Sequence, residues 1–393
     1  VFDNLSPLDS RYRADNPALW KTLSAILSED AYVQYCLQVE TALVKALADE
    51  GLCTIAAAEE IQKACESVDS KEVQAEEEKT KHNIRALVNC VQRRVSDDAK
   101  PFVHLTATSV DIMDTARSLQ VRDAVDQIIL PQLRELLQLW ISIAEREADT
   151  PQVGRTHGQH GVPITFGFAL SEYVSRMGGR IKALEQACAN LRGKMAGAVG
   201  SYNASSLLLP DPIAFEVRVL DKLGLRPADH ATQMVEPEYL NDLLHAVITA
   251  FGVLANFADD IRHLQRTEIS EVGEEFAASQ VGSSTMPHKR NPWNYENIKS
   301  MWKTFMPRMM TVYMDQISEH QRDLSNSASG RFAMEMLAGF SLTTARTIRV
   351  TSKLAVHREQ MKKNLESTAA LTAAEPLYIL LAAKGHPNAH EFV

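Results

Sequence analysis

A chain of 393 residues with 45% hydrophobic side chains can bury a large core, and at about 150 residues per domain it has room for two or three. Its formal net charge of −9 and pI of about 5.8 argue against nucleic acid as the main partner, because neutralising phosphates needs a basic face. They leave room for a locally basic pocket that takes a small anion. No stretch comes near the roughly 18–20 uninterrupted apolar residues of a membrane span. The opening "VFDNLSPLDSRY" lacks the basic onset and apolar run of a signal peptide. It also lacks an initiator Met, so residues are expected to precede it. The five cysteines, Cys36, Cys53, Cys65, Cys90 and Cys188, are odd in number, scattered and without a CxxC. That usage predicts free thiols, a reducing compartment and no zinc cluster.

The pattern is helical nearly throughout. In residues 30–51, Val33, Leu37, Glu40, Leu43, Val44 and Leu47 recur at helical spacing, and Gly51 suits a C-cap. Residues 61–95 continue through a charged run, Glu76 to Lys81, into an amphipathic segment. Longer helices are expected over 111–148, with only Pro131 as a break, over 166–195 and over 238–269. Two more are expected over 294–318 and 331–354. Several exceed the usual 8–20 residues and point to a bundle of long helices at shallow angles. Polar, Gly/Pro-rich connections fall at 150–167, 197–212 and 279–292, where any minor β-structure is placed. There is no internal repeat.

Loops on a rigid scaffold concentrate catalytic residues, and each connection carries residues that no core requires. "GRTHGQHGVP" sets His157 and His160 among glycines, and histidine is the natural proton carrier near neutral pH. "HLTATSVDIMDTARSLQ" places Thr108, Ser109 and Asp111 before a helical run. That is a helix cap, and also a place where free N–H groups can hold a carboxylate or phosphate. His82, in "EKTKHNIRAL", stands at a helix start and reads as a solvated polar position. Arg322, Ser327 and Arg331 surround a small-residue loop that would suit an anion, against plain surface charge. "GSSTMPHKRNP" (282–292) joins a small, hydroxyl-rich half to a basic half, as a segment closing on an anionic substrate would. Its serine is a candidate nucleophile, although there is no GxSxG elbow, or a candidate base whose alkoxide is stabilised by N–H groups and a lysine.

The string "GSSTMPHKRNP" resembles the signature loop of the fumarase/aspartase superfamily. "TATSVDIMDTA" and "GRTHGQHGVPITFG" resemble two further shared regions, in the expected order, and the likeness covers essentially the whole chain. Within that superfamily "SPLDSRY", "KHNIRAL", "ATQMVEP" and "QRDLSNSASGR" resemble segments of the adenylosuccinate lyases. The resemblance implies an all-α fold: a small N-terminal helical domain (1–105), a central long-helix bundle (106–355) and the start of a C-terminal helical domain (356–393) that continues in the family. It implies β-elimination of fumarate from adenylosuccinate and from SAICAR, without a cofactor, in a cytoplasmic homotetramer whose sites are shared between subunits.

The implied catalytic residues are Ser283 as general base, His157 as general acid, Lys289 stabilising the carbanion, Glu296 pairing with His157 from another subunit, and His82. The implied substrate ligands are Arg11, Tyr12, Thr108, Ser109, Thr156, Gln233, Ser284, Met286, Asn291, Arg322, Ser327 and Arg331. No metal is implied. Asn83 stands where the family usually has Asp, which bears on how His82 is oriented and charged. The carboxymuconate cycloisomerases carry a very similar "MPHKRNP" loop but should lack the phosphate set. Argininosuccinate lyases usually have Gln at the position of His288. Crystallin-like structural homologues share the scaffold but have no need of Ser283, His157, Lys289 and Glu296 together.

Overall fold

In the computed structural model the described residues are 4–275, 285–286 and 288–393. The helices that position the candidate residues are α1 (Glu29–Asp49), α2 (Asn83–Gln92), α3 (Ser109–Ala124), α4 (Leu130–Arg146), α5 (Phe166–Ala189), α6 (Glu238–Leu264), α7 (Trp293–Phe305), α8 (Arg308–Met314), α9 (Ala333–Thr351) and α10 (Arg358–Glu366). Strands are few among the described residues, and the longest pair is the hairpin β1 (Pro151–Thr156) and β2 (Gln159–Thr165). Helices dominate the described residues, so the fold is all-α.

Helix boundaries follow local chemistry. Ser28 caps α1 by accepting the Ala31 N–H at 3.1 Å, as a short hydroxyl at this position does. A π-helical turn, Val125–Ile129, lies between α3 and α4, immediately before Pro131, whose ring and missing N–H disturb the regular ladder. The helix expected over 294–318 is two helices, with Pro307 as N-cap of the second. The one expected over 166–195 ends at Ala189. Beyond it Arg192–Gly193 pairs in parallel with Arg226–Pro227. Of the three connections, 150–167 carries the hairpin.

Contacts gather the chain into two compact units. The first holds Val1–Leu130, Ala183–Val247 and Phe305–Leu342; the second holds Pro131–Lys182, Ile248–Thr304 and Thr343–Val393. In the first, α1 buries Leu37, Glu40, Leu43, Val44 and Leu47 of the stripe read from sequence, with Val33 half-buried, and adds Val39 and Ala46, which that stripe left out. The second is centred on an aromatic cluster. Phe257 lies 4.8 Å from Trp140, 5.3 Å from Tyr173 and 6.2 Å from Tyr295, centroid to centroid. By length and composition α6 could cross a bilayer, but 67% of its most apolar stretch is buried, as in a core helix.

Candidate active site

In the first unit the candidate residues gather along α3. Thr108 is its N-cap and Ser109 its first residue, so both stand where backbone N–H groups lack helical partners. The cap is held from within: Asp111 accepts the Thr108 N–H at 2.7 Å. Asp111 is fully buried and ion-paired with the equally buried Lys194. It also accepts the Ala196 N–H at 3.1 Å and the Gly197 N–H at 3.2 Å, which fastens the chain after α5 to the start of α3. The approach to the cap is strained. His104 (φ 63°) and Thr106 (φ 73°) are left-handed, at about 1–2 kcal/mol each for residues with a Cβ. His104 Nδ1 lies 2.6 Å from Oε1 of the buried Glu40. Burial opposes charge on the imidazole, but the Glu40 carboxylate outweighs it and holds His104 above its ordinary value.

The neighbouring segments meet the same helix. His82 caps α2 by accepting the Arg85 N–H on Nδ1 at 3.2 Å. That bond requires an unprotonated Nδ1 and leaves Nε2 to carry the ring proton. Asn83 turns away from it, with Nδ2 3.6 Å from Met113 Sδ on α3 and Oδ1 accepting the Ile84 N–H at 2.8 Å. His82 is therefore oriented by its own helix. One turn along α3 from Asp111, Asp114 accepts the Val235 N–H at 2.9 Å. Gln233, two residues earlier, donates its N–H to Gln321 O at 3.3 Å, next to Arg322. Gly200 (φ 76°) lies against the Ala231 carbonyl so closely that any Cβ would collide with it. Arg322 donates Nε to Asp323 O at 3.1 Å, and the Asp323 carboxylate ties the loop by accepting from Ser325 and Glu319. Ser327 and Arg331 are exposed beyond it, as is Arg11 in the π-helical turn Leu8–Tyr12; Tyr12 is half-buried.

The second unit holds the other candidates. Arg155 pairs with His160 and Thr156 with Gln159, so the hairpin turns on two residues, His157 and Gly158. Both have positive φ, 56° and 75°, the geometry that two-residue hairpin turns demand. Glycine supplies it without strain; His157 does not, and its ring stands exposed at the tip. The root is braced by two buried carboxylates. Glu271 takes Arg155 Nη2 at 2.6 Å, Gln152 Nε2 at 2.7 Å and Asn364 Nδ2 at 2.9 Å. Glu147 takes Arg358 through Nε at 2.8 Å and Nη2 at 2.7 Å, and the Thr150 hydroxyl at 2.7 Å. Burial pushes the Glu147 carboxyl up, but the bonds from Arg358, Arg146 and Thr150 outweigh it and hold it below its ordinary value.

Thr156 ends β1, exposed. Met286 and Lys289 are exposed and Asn291 half-buried, with the Lys289 N–H donating to Met286 O at 3.0 Å. Glu296 is exposed on the first turn of α7, 3.8 Å from Arg262 Nε. Ser283 and Ser284 lie outside the described residues. The structure thus brings Thr108, Ser109, His82 and Gln233 around α3 and sets His157 on a braced turn. Sequence reading missed the groups that hold them: Asp114, Lys194, Arg155 and Glu271. Asp114 had one legible sign, its spacing of three from Asp111 on the same helical face.

A family model described as Lyase matches residues 10–306, and one described as Adenylosuccinate lyase C-terminal matches residues 318–393. An adenylosuccinate lyase of Pyrococcus abyssi is 34% identical over 98% of this chain and 85% of its own length. One from Thermotoga maritima is 34% identical over 91% of this chain and 81% of its own. The chain belongs to the adenylosuccinate lyase family. Among solved structures, a 3-carboxy-cis,cis-muconate lactonizing enzyme from Pseudomonas putida superposes with a TM-score of 0.84 at 28% identity, covering 95% of this chain and 84% of that one. A fumarate lyase from Mesorhizobium sp. BNC1 gives the same TM-score and coverage at 24% identity, a likeness of fold. Family membership also accounts for the second matched region, which includes Arg322, Ser327 and Arg331.

Proposed function

We propose that this chain eliminates fumarate from adenylosuccinate to leave AMP, and from SAICAR to leave AICAR. The observation that carries the reading is the match to adenylosuccinate lyases along nearly the whole chain. In the elimination a C–H bond β to nitrogen breaks, its electron pair forms the fumarate double bond, and the C–N bond breaks with its pair going to nitrogen. Ser283 takes the carbon proton, and His157 gives a proton to the departing nitrogen. The exposed tip position supports that role for His157, since the ring can meet a ligand without being dug out of a core. Lys289 and Asn291 stabilise the carboxylate charge that grows as the proton leaves, and Thr108 and Ser109 bind carboxylate oxygens at the N-terminus of α3. Glu296 pairs with His157 from another subunit. Arg11, Tyr12, Gln233, Arg322, Ser327 and Arg331 hold the nucleotide, His82 stands near its phosphate, and Thr156, Ser284 and Met286 line the substrate.

The working form is a cytoplasmic homotetramer, divided along the chain at about residues 105 and 355 as the family is. Exposed Met306, Met310 and Met314 recur every four residues, with Ile317 and Phe332 also exposed, and apolar surface of this extent favours burial against another chain. The five cysteines are free and buried, which supports a reducing compartment.

The test is ultraviolet absorbance of adenylosuccinate, and separately of SAICAR, mixed with the parent and a Ser283→Ala variant, after light scattering has given the mass in solution. Turnover by the parent and near-silence of the variant are expected. Equal turnover would move the base elsewhere. Turnover of 3-carboxy-cis,cis-muconate instead would favour the reading suggested by the structural neighbours.

A further inference from the structure

Asp114 has no part in the roles assigned above, yet it touches the segments that carry them. It sits on α3, one turn beyond the Thr108–Ser109 cap, half-buried, with its carboxylate accepting the Val235 N–H at 2.9 Å. Val235 is in turn bridged to Ala231, so the intervening chain is a narrow loop with Gln233 at its apex. The Gln233 N–H continues the chain of contacts to Gln321 O, the residue before Arg322. The loop has no room to retreat on one side, because Gly200 fills the space against Ala231. One carboxylate therefore joins the helix presenting Thr108 and Ser109 to the loop presenting Gln233, and through it to the loop presenting Arg322.

We propose that Asp114 is a positioning residue: by holding the Val235 N–H it sets the Gln233 and Arg322 loops in the register that receives the nucleotide.

The charged groups facing it are Lys194 and Arg322, which favour its ionised form, with Asp111 opposing, while Tyr32 senses its field from α1. Burial is the largest influence and pushes its carboxyl up to about 6. Hydrogen bonding to the Val235 N–H is strongest for the ionised carboxylate, so the loop register weakens as pH falls through that value.

The inference rests on the proposed nucleotide chemistry, and parent turnover of adenylosuccinate checks that reading alone. The test of Asp114 is AMP affinity by calorimetry, together with KM and kcat for adenylosuccinate, from about pH 5 to 8. The proteins are the parent, Asp114→Asn and Asp114→Ala. Asparagine keeps an acceptor for Val235 but cannot titrate. Phosphate groups on nucleotides titrate in the same range, so the quantity read is the difference between the parent and Asp114→Asn profiles. For Asp114→Ala the expectation is AMP affinity weakened, and KM raised, by about tenfold or more, with kcat within about threefold. For Asp114→Asn the expectation is a smaller loss at pH 8 and a flatter acid limb than the parent. A parent-like KM and AMP affinity in Asp114→Ala would overturn the proposal. So would an Asp114→Asn profile parallel to the parent's. Equal losses of kcat and thermal stability with unchanged AMP affinity would reassign Asp114 to folding alone, and would overturn it too.

Discussion

The cap of α3 and the tip of the β1–β2 hairpin solve one problem, holding a polar side chain still, in opposite ways. At the cap the charges are inside: Asp111 and Lys194 are wholly buried and the residues they position, Thr108 and Ser109, are half-buried at a helix end. At the hairpin the candidate acid, His157, is exposed on a left-handed turn, and the charges that steady it are Arg155, near the turn end of β1, with Glu271, and Arg358 of α10 with Glu147, just before β1. The first arrangement couples the site to global stability. The second confines the strain to one residue, His157, and leaves the tip replaceable. Candidate binding groups on a helix end and a candidate proton donor on a short turn therefore differ in what a mutation does to them.

The sharpest way to break the comparison is to unpair a charge in each region. Lys194→Met leaves Asp111 buried without its cation and should destabilise the chain by about 3–5 kcal/mol, read by urea unfolding. Arg155→Gln should cost less, about 2–3 kcal/mol, because Gln152 and Asn364 still hold Glu271; its turnover should fall because the turn loses its brace. An equal loss in the two variants would remove the distinction between them.

His157→Gly sharpens the contrast at the tip. Glycine accepts the positive φ freely, so stability should hold or rise by up to about 1 kcal/mol, while turnover drops by about 10²–10⁴. Thermal melts and adenylosuccinate assays on the same samples check both halves.

The smallest effects are pH responses of opposite sign. The folded chain holds the His104 proton more tightly than the unfolded chain does. The contribution of the His104–Glu40 pair is therefore complete below about pH 6.5 and is lost as pH rises through the higher folded value. Glu147 is depressed, so its contribution is present above about pH 4.5 and is lost as pH falls through the lower folded value. Unfolding midpoints of parent, His104→Gln and Glu147→Gln across pH should show the first gap closing on the alkaline side and the second on the acid side.

Helix order and fold class were readable because apolar residues recur at a period that needs no partner to be seen, as in Leu37, Val44 and Leu47. So was the cap at Thr108–Ser109, a local signature, and the β1–β2 hairpin in a Gly/Pro-rich connection, whereas the short pairs of Arg192–Gly193 with Arg226–Pro227 and of Val272–Gly273 with Ala355–Val356 lie outside the three connections where β-structure was expected. The turn at His157 was less legible, since its left-handed φ follows from the pairing of Arg155 with His160. The bracing charges were illegible for a plain reason. Arg155 and Glu271 are 116 positions apart and Asp111 and Lys194 are 83 apart, and no periodicity links residues at such distances. Asn83 shows the converse: a departure legible in the sequence, whose consequence needed the helix cap at His82 to be seen.

The most direct measurement is product stoichiometry with adenylosuccinate as the only substrate, comparing the parent with His157→Gln under conditions where both are folded. The account predicts one fumarate and one AMP per adenylosuccinate consumed by the parent, and a rate at least about a hundredfold lower in the variant. A folded parent that releases no fumarate, or a variant that matches its rate, would contradict it.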